Sequence, residues 1–142
     1  MIAVDTNLLL YAHREESPFH EAANAALTRA SRGRWALPWP CVHEFLAIAT
    51  HPRIFDPPTP LDDALMAVEG WLAAPTTTLL SESPGYAALL DHTLRSAKVA
   101  GPRIHDARIF ALCLHHGVRE LWSADRDFSR FTGLDVVNPL TA

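Results

Sequence analysis

Five short runs of β-forming or apolar residues are spread along the chain, at residues 1–5, Arg34-Trp35-Ala36-Leu37, Thr76-Thr77-Thr78-Leu79-Leu80, Glu120-Leu121-Trp122-Ser123 and Leu134-Asp135-Val136-Val137. Most are separated by segments with helical spacing of apolar residues. Strands that alternate with helices are joined by crossovers, so the expected fold is α/β, three layers thick, with a central and mainly parallel sheet of about five strands covered on both faces. In open sheets of that kind ligands bind outside the carboxyl ends of the strands.

The helical segments read as follows. Residues from about Phe19 to Ala30 are alanine-rich. Pro40 suits the first turn of a helix over Cys41–Thr50. Leu61, Ala64, Leu65, Val68, Trp71 and Leu72 share one helical face after a start at Thr59-Pro60. Further helices are expected over Gly85–Lys98 and Ile104–His116, broken at Gly101-Pro102, with Gly117 as a C-terminal cap. Residues 51–60 hold four of the 11 prolines, which makes them an irregular loop, and a loop this stiff is expected to shape one wall of a site.

At 142 residues and 49% hydrophobic content the chain is expected to form one domain, 1–142, with a real core. No apolar run reaches the roughly 18 residues a membrane-spanning helix needs, and no secretory signal is visible, so a soluble, cytoplasmic protein is expected, without membrane attachment. Cys41 and Cys113 lie in apolar segments without Cys-x-x-Cys spacing and read as buried free thiols. The eight histidines are scattered, and the one adjacent pair, His115-His116, points in directions about 100° apart on a helix, which argues against a histidine metal site. A net charge of −4 excludes coating of nucleic acid by a globally basic surface. Local basic groups remain: Arg29, Arg32 and Arg34 in one helical pattern, and Arg95, Lys98, Arg103 and Arg108 in another. Either is a solvated face or a phosphate contact.

Four acids stand alone in apolar surroundings: Asp5 after Ile2-Ala3-Val4, Glu44 in Val42-His43-Glu44-Phe45-Leu46, Asp106 before Ala107-Arg108-Ile109-Phe110, and Asp125 after Leu121-Trp122-Ser123-Ala124. Each has a plain local explanation. Asp5 can cap a helix or form an Asx-turn, Glu44 and Asp106 can be first-turn acids favoured by the helix dipole, and Asp125 with Asp127 can make a capped turn. A single convergent site explains all four together. Carboxylates about 4 Å apart repel by about 4 kcal/mol per pair at an effective dielectric near 20, so convergence without a cation would be unstable or partly protonated, and oxygen-only ligands select a hard ion such as Mg²⁺ or Mn²⁺.

With Ile2-Ala3-Val4-Asp5-Thr6-Asn7, the helical Glu44, His105-Asp106-Ala107 and Ser123-Ala124-Asp125-Arg126-Asp127-Phe128 in this order, the chain resembles a PIN-domain ribonuclease, more narrowly a VapC-type toxin of a bacterial toxin–antitoxin pair. The resemblance spans nearly the whole chain. It implies that Asp5, Glu44, Asp106 and Asp125 are the catalytic, metal-binding quartet, with Asp127 as an additional carboxylate and Asn7 and Ser123 as polar supports. It also implies a Mg²⁺- or Mn²⁺-dependent endoribonuclease, a homodimer, and a cognate antitoxin that inserts a segment at the active site. Arg95, Lys98, Arg103 and Arg108 are then the candidates for contact with the RNA substrate.

Three readings of other classes compete. A non-catalytic module that docks RNA or protein on the acidic surface is disfavoured by the presence of all four acids. A phosphotransferase with Asp5 as nucleophile is disfavoured because Asn7 stands where haloacid-dehalogenase-like phosphatases have a second aspartate. A receiver domain would place its aspartate after the third strand, where Ser81 stands.

Overall fold

In the computed structural model, which describes residues 1–141, the strands β1 (Ile2–Val4), β2 (Trp35–Pro38), β3 (Thr77–Leu80), β4 (Glu120–Trp122) and β5 (Asp135–Val137) form one sheet. Its order is β3-β2-β1-β4-β5 and every pairing is parallel. Ile2 lies between Trp35 and Glu120, and Val4 beside Trp122, so the carboxyl ends of β1 and β4 are level. From β1 the chain winds outward to β2 and β3, then returns across the sheet to β4 and β5. The direction of winding therefore reverses between β1 and β4, which is where open α/β sheets leave a crevice for ligands.

Alternation along the strands divides the core. Val4, Trp35, Leu37 and Trp122 face one side, against Leu8 and Leu9 of α1 (Thr6–His13), Ala26 and Leu27 of α2 (His20–Ser31), Phe45 of α3 (Trp39–Ala49) and Val68 of α4 (Leu61–Ala73). Ala3, Ala36 and Leu121 face the other, against Ile109, Phe110 and Cys113 of α6 (Arg103–His115) and Phe128 of a short 3₁₀ helix (Arg126–Arg130). The helix α5 (Tyr86–Ala97) covers α6 from outside, with Tyr86 and Leu90 on Leu112. Full burial of residues such as Leu121 and Phe110 contributes about 1.5–3 kcal/mol each. Among the described residues, no helix is long and apolar enough to cross a membrane.

All five expected strands and five expected helices form, with ends shifted by a residue or two. Gly117 takes φ +71° and closes α6 with Val118 N–H on the Cys113 carbonyl (3.0 Å) and Gly117 N–H on that of Leu114 (3.2 Å). Helix α1 was not expected, because Leu8-Leu9-Leu10-Tyr11 is continuously apolar and shows no helical period; it is sandwiched between α2 and α3, so nearly every face is covered. The 3₁₀ helix was not expected either. Arg29, Arg32 and Arg34 do not share a helix face, since α2 ends at Ser31; the Arg29 guanidinium instead lies 5.3 Å from the centre of the Trp122 ring. The proline-rich loop does not wall the acidic cleft described below. Its Pro57 carbonyl and Thr59 hydroxyl both accept from Arg14, at 3.1 Å each, and it closes a separate cleft with His13 and Asp63.

Candidate active site

Asp5 is the first residue beyond β1 and is 5% exposed. One of its oxygens accepts the Thr6 N–H at 2.8 Å and the Cys41 thiol at 3.7 Å; the other accepts the Ser123 hydroxyl at 2.7 Å and the Asn7 amide at 3.4 Å. Asp5 is thus the N-cap of α1 as well as a member of the acidic group. Ser123, the residue after β4, also accepts the Asp125 N–H at 3.0 Å and the Asn7 amide at 3.3 Å, while the Asn7 carbonyl oxygen accepts the Ala124 N–H at 3.3 Å. These bonds lace the carboxyl ends of the two central strands together. Asp125 caps the 3₁₀ helix by accepting the Asp127 N–H at 2.8 Å, so its local role coexists with its place in the cluster.

Glu44 comes from the middle of α3 and stands at the open lip of the site, its carboxylate accepting the Thr6 hydroxyl at 3.3 Å. Asp106 sits in the first turn of α6. Asp5, Asn7, Glu44, Asp106 and Asp125 line one cleft of about 230 Å³. Beside it a cleft of about 550 Å³ shares Glu44, Asp106 and Asp125 and adds His43, His105, Arg108 and Asp127. The quartet therefore lines one cleft, and two of its members form a compact trio with Asp127 from outside it: the carboxylate oxygens of Asp106, Asp125 and Asp127 lie within 4.8 Å of one another.

The charges in this cleft oppose one another. Burial raises the Asp5 carboxyl above its ordinary value, more than its Ser123, Thr6 and Cys41 donors lower it, and the Asp125 charge adds to the rise. Partial desolvation raises Glu44, followed by the Asp5 charge. Asp106 is raised by burial, then by Asp125, Asp5 and Asp127. Around the carboxylates the donor set is all oxygen. Ligands of a hard ion such as Mg²⁺ are about 3 Å apart when adjacent and about 4.2 Å when opposite, so a bound ion would draw the trio, now within 4.8 Å, closer together. The residues fit a hard divalent cation.

Of the basic residues, Arg103 pairs with Asp127 at 3.1 Å, and Arg108 lines the larger cleft while bonded to Glu82 at 2.6 Å. Arg95 pairs with Asp91 one turn back on α5 at 3.1 Å, and Lys98 ends that helix in a left-handed conformation. Neither lines the acidic clefts. The sequence reading missed Thr6, whose hydroxyl reaches Glu44, and the Cys41 thiol as a donor to Asp5. The signals were available: Thr6 adjoins Asp5, and Cys41 precedes Glu44 by one helical turn. His43 and His105, beside Glu44 and Asp106, were also unassigned. Both cysteines are buried and free; burial raises the Cys41 thiol well above its ordinary value and pushes Cys113 up to about 12, so neither is a thiolate nucleophile.

Comparison with known proteins bears on the family and the fold. The family described as the PIN domain matches residues 2–134. Ribonuclease VapC48 of Mycobacterium tuberculosis is 30% identical over 139 residues, covering 96% of each chain. Ribonuclease VapC33 of the same organism is 34% identical over 142 residues, covering 99% of each. Among solved structures, that of VapBC2 from Rickettsia felis bound to a DNA fragment from their promoter contains a chain similar in fold, with a TM-score of 0.72 at 13% identity, covering 97% of this chain and 98% of that one.

Proposed function

The chain belongs to the PIN domain family, and on that premise we propose that it is a metal-dependent endoribonuclease, the toxin of a VapBC-type toxin–antitoxin pair. The observation that carries this reading is the convergence of Asp5, Glu44, Asp106 and Asp125 on one cleft at the switch point of the sheet, with Asp127 completing a compact carboxylate trio. The named ribonucleases similar to this chain over almost its whole length support it.

In this reading Asp106, Asp125 and Asp127 would hold Mg²⁺ or Mn²⁺, with Asp5 completing the ring and Glu44 joining it through a bound water. Such an ion, when bound, supplies Lewis-acid polarisation of the phosphate and makes water more acidic. Asp5 is immobilised by Ser123, Asn7 and the start of α1, which keeps negative charge facing the cleft without a loose rotamer. Glu44, at the lip and with its carboxyl raised, is the group suited to take the proton of the attacking water on its carboxylate. Arg103, Arg108, His43 and His105 flank the acids and offer donors to the phosphates of the strand. Arg95 and Lys98 belong to a more distant part of the RNA-binding surface. The whole chain acts as one PIN domain in the cytoplasm, as a homodimer that a cognate antitoxin neutralises by inserting a segment into the cleft.

The test is cleavage of total cellular RNA by the purified protein with Mg²⁺, with Mn²⁺ and with EDTA, beside Asp5→Asn. Discrete fragments that require metal and vanish in the variant are expected. Full activity of Asp5→Asn under metal-replete conditions would sink the assignment of the site.

A further inference from the structure

On the β5 side of Asp125 lies a cleft of about 620 Å³, bounded by the 3₁₀ helix, β5 and the segment that follows it. Asp125 lines this cleft and the acidic one alike, so the two are neighbours across a single residue. Its walls are of two kinds. Phe131, Leu134 and Val136 supply apolar surface, and Arg126 and Asn138 supply donors. Unlike Arg95, Arg103 and Arg108, Arg126 has no carboxylate partner among the described residues. The Asn138 side-chain oxygen, Oδ1, accepts the Leu140 N–H at 3.0 Å. That bond fixes which end of the amide is which, and leaves the Nδ2 hydrogens without a protein acceptor among the described residues.

We propose that this cleft is a nucleobase subsite, which takes the base of a nucleotide flanking the scissile phosphate in a single-stranded segment of the RNA substrate. The inference rests on the ribonuclease reading above. A phosphate is the wrong occupant, because Asp125 and Asp135 both line the cleft and would repel it. A base is uncharged, has flat apolar faces for the Phe131, Leu134 and Val136 wall, and has a polar edge for the two donors. Because Arg126 and Asn138 Nδ2 both donate, the edge they recognise is rich in acceptors, such as guanine O6 and N7 or the carbonyls of uracil.

Sequencing the fragment ends from total cellular RNA cut with Mn²⁺ by the wild-type protein, Arg126→Gln and Asn138→Asp tests this. Asn138→Asp retains an oxygen for the Leu140 N–H and replaces the donor by an acceptor, so the local turn survives. The wild-type fragments should be enriched for guanine or uracil at one position beside the cut. In Asn138→Asp that enrichment should fall about tenfold, with amino-bearing adenine or cytosine rising, and Arg126→Gln should weaken it in the same position. An unchanged pattern at normal activity overturns the subsite while the ribonuclease reading stands. So does a uniform loss of rate with the pattern retained, which would mean that these residues only brace Asp125. If the wild-type protein cuts nothing, the ribonuclease reading fails, and equilibrium binding of fluorescein-labelled oligoadenosine and of an oligonucleotide of alternating guanosine and uridine decides whether the cleft takes an acceptor-rich base. Preference for the guanosine–uridine oligomer in the wild type but not in Asn138→Asp supports it, and equal affinities for the two oligomers in the wild type overturn it.

Discussion

Asp5 has four hydrogen-bond donors around its two oxygens and its acidity is still weakened, because burial and the Asp125 charge outweigh them. The sign of the consequence follows from linkage. Asp5, Glu44 and Asp106 all have folded-state values raised above their ordinary ones, so the folded metal-free protein binds more protons than the unfolded chain in the window between the two. Their contribution is therefore harmless below the ordinary carboxylate range and becomes destabilising as pH rises through the folded values. Melting followed by circular dichroism in EDTA, from about pH 4 to about pH 8, should show this loss over the acid side of the range. Asp5→Asn removes one charge but turns the oxygen that accepts from Ser123 and Asn7 into a donor, so in EDTA its melting temperature should vary less with pH than the wild type's, while RNA cleavage is lost. A pH profile as steep as the wild type's would show that the Asp5 charge is not what limits stability. Ser123→Ala removes the shortest of the four bonds to Asp5 and should cost about 1–3 kcal/mol by chemical denaturation.

At the scale of elements, two devices fix segments of the chain, one the helix that carries Asp106 and the other the proline-rich loop. Helix α6 presents Asp106 at one end and is stopped at the other by Gly117, whose φ of +71° leaves open space where a Cβ would go. Gly117→Ala therefore tests backbone conformation alone, and should cost about 1–2 kcal/mol and lower the melting temperature by about 2–8 °C without altering cleavage specificity. The second device is Arg14, just past α1. Its guanidinium holds the proline-rich loop through Pro57 and Thr59 and lies 4.1 Å from the centre of the Phe55 ring. Arg14→Met should release the loop, read as faster tryptic cutting at Arg53, and leave RNA cleavage unchanged, since the loop closes its own cleft and not the acidic one. A fall in cleavage rate with an intact melting curve would tie the loop to catalysis.

For the molecule as a whole, the decisive feature is that carboxylates from four separated parts of the chain meet at the reversal of the sheet, on the ends of β1 and β4 and on helices from both faces. Their repulsion is offset when a cation binds, so metal and folding are coupled. Mn²⁺ at about one hundred times its dissociation constant should stabilise the protein by about 2.7 kcal/mol, seen as a rise in melting temperature absent from the EDTA control. Asp125→Asn should shrink that rise, because it removes a ligand common to the carboxylate trio and the acidic cleft. A wild-type melting temperature indifferent to Mn²⁺ would remove the metal from the site.

Much of this arrangement is carried by local information. Short β-rich runs between helix-periodic segments dictate a parallel sheet with two covered faces, and an acid that ends or heads an apolar run belongs at a strand exit or a helix start. That is why the strands, five of the helices and the places of Asp5, Asp106 and Asp125 were legible from the residues alone, whereas Glu44 stood out only as a lone carboxylate among apolar neighbours and comes from the middle of α3, not its first turn. What depended on three-dimensional packing was missed or displaced. Helix α1 is continuously apolar, so its helical state follows from its cover by α2 and α3 and not from any period in Thr6–His13. The arginines expected to wait for phosphate are mostly neutralised by acids, distant in sequence for Arg103 with Asp127 and Arg108 with Glu82, and one turn away for Arg95 with Asp91. Which carboxylates lie closest together was likewise decided by the fold: the 3₁₀ turn after β4 brings Asp127 up to Asp106 and Asp125, while Asp5 is drawn down among its donors. Residue type and order determine which groups are forced to the strand ends, but distances between groups more than a hundred residues apart are set only when the sheet closes and its two central strands come level.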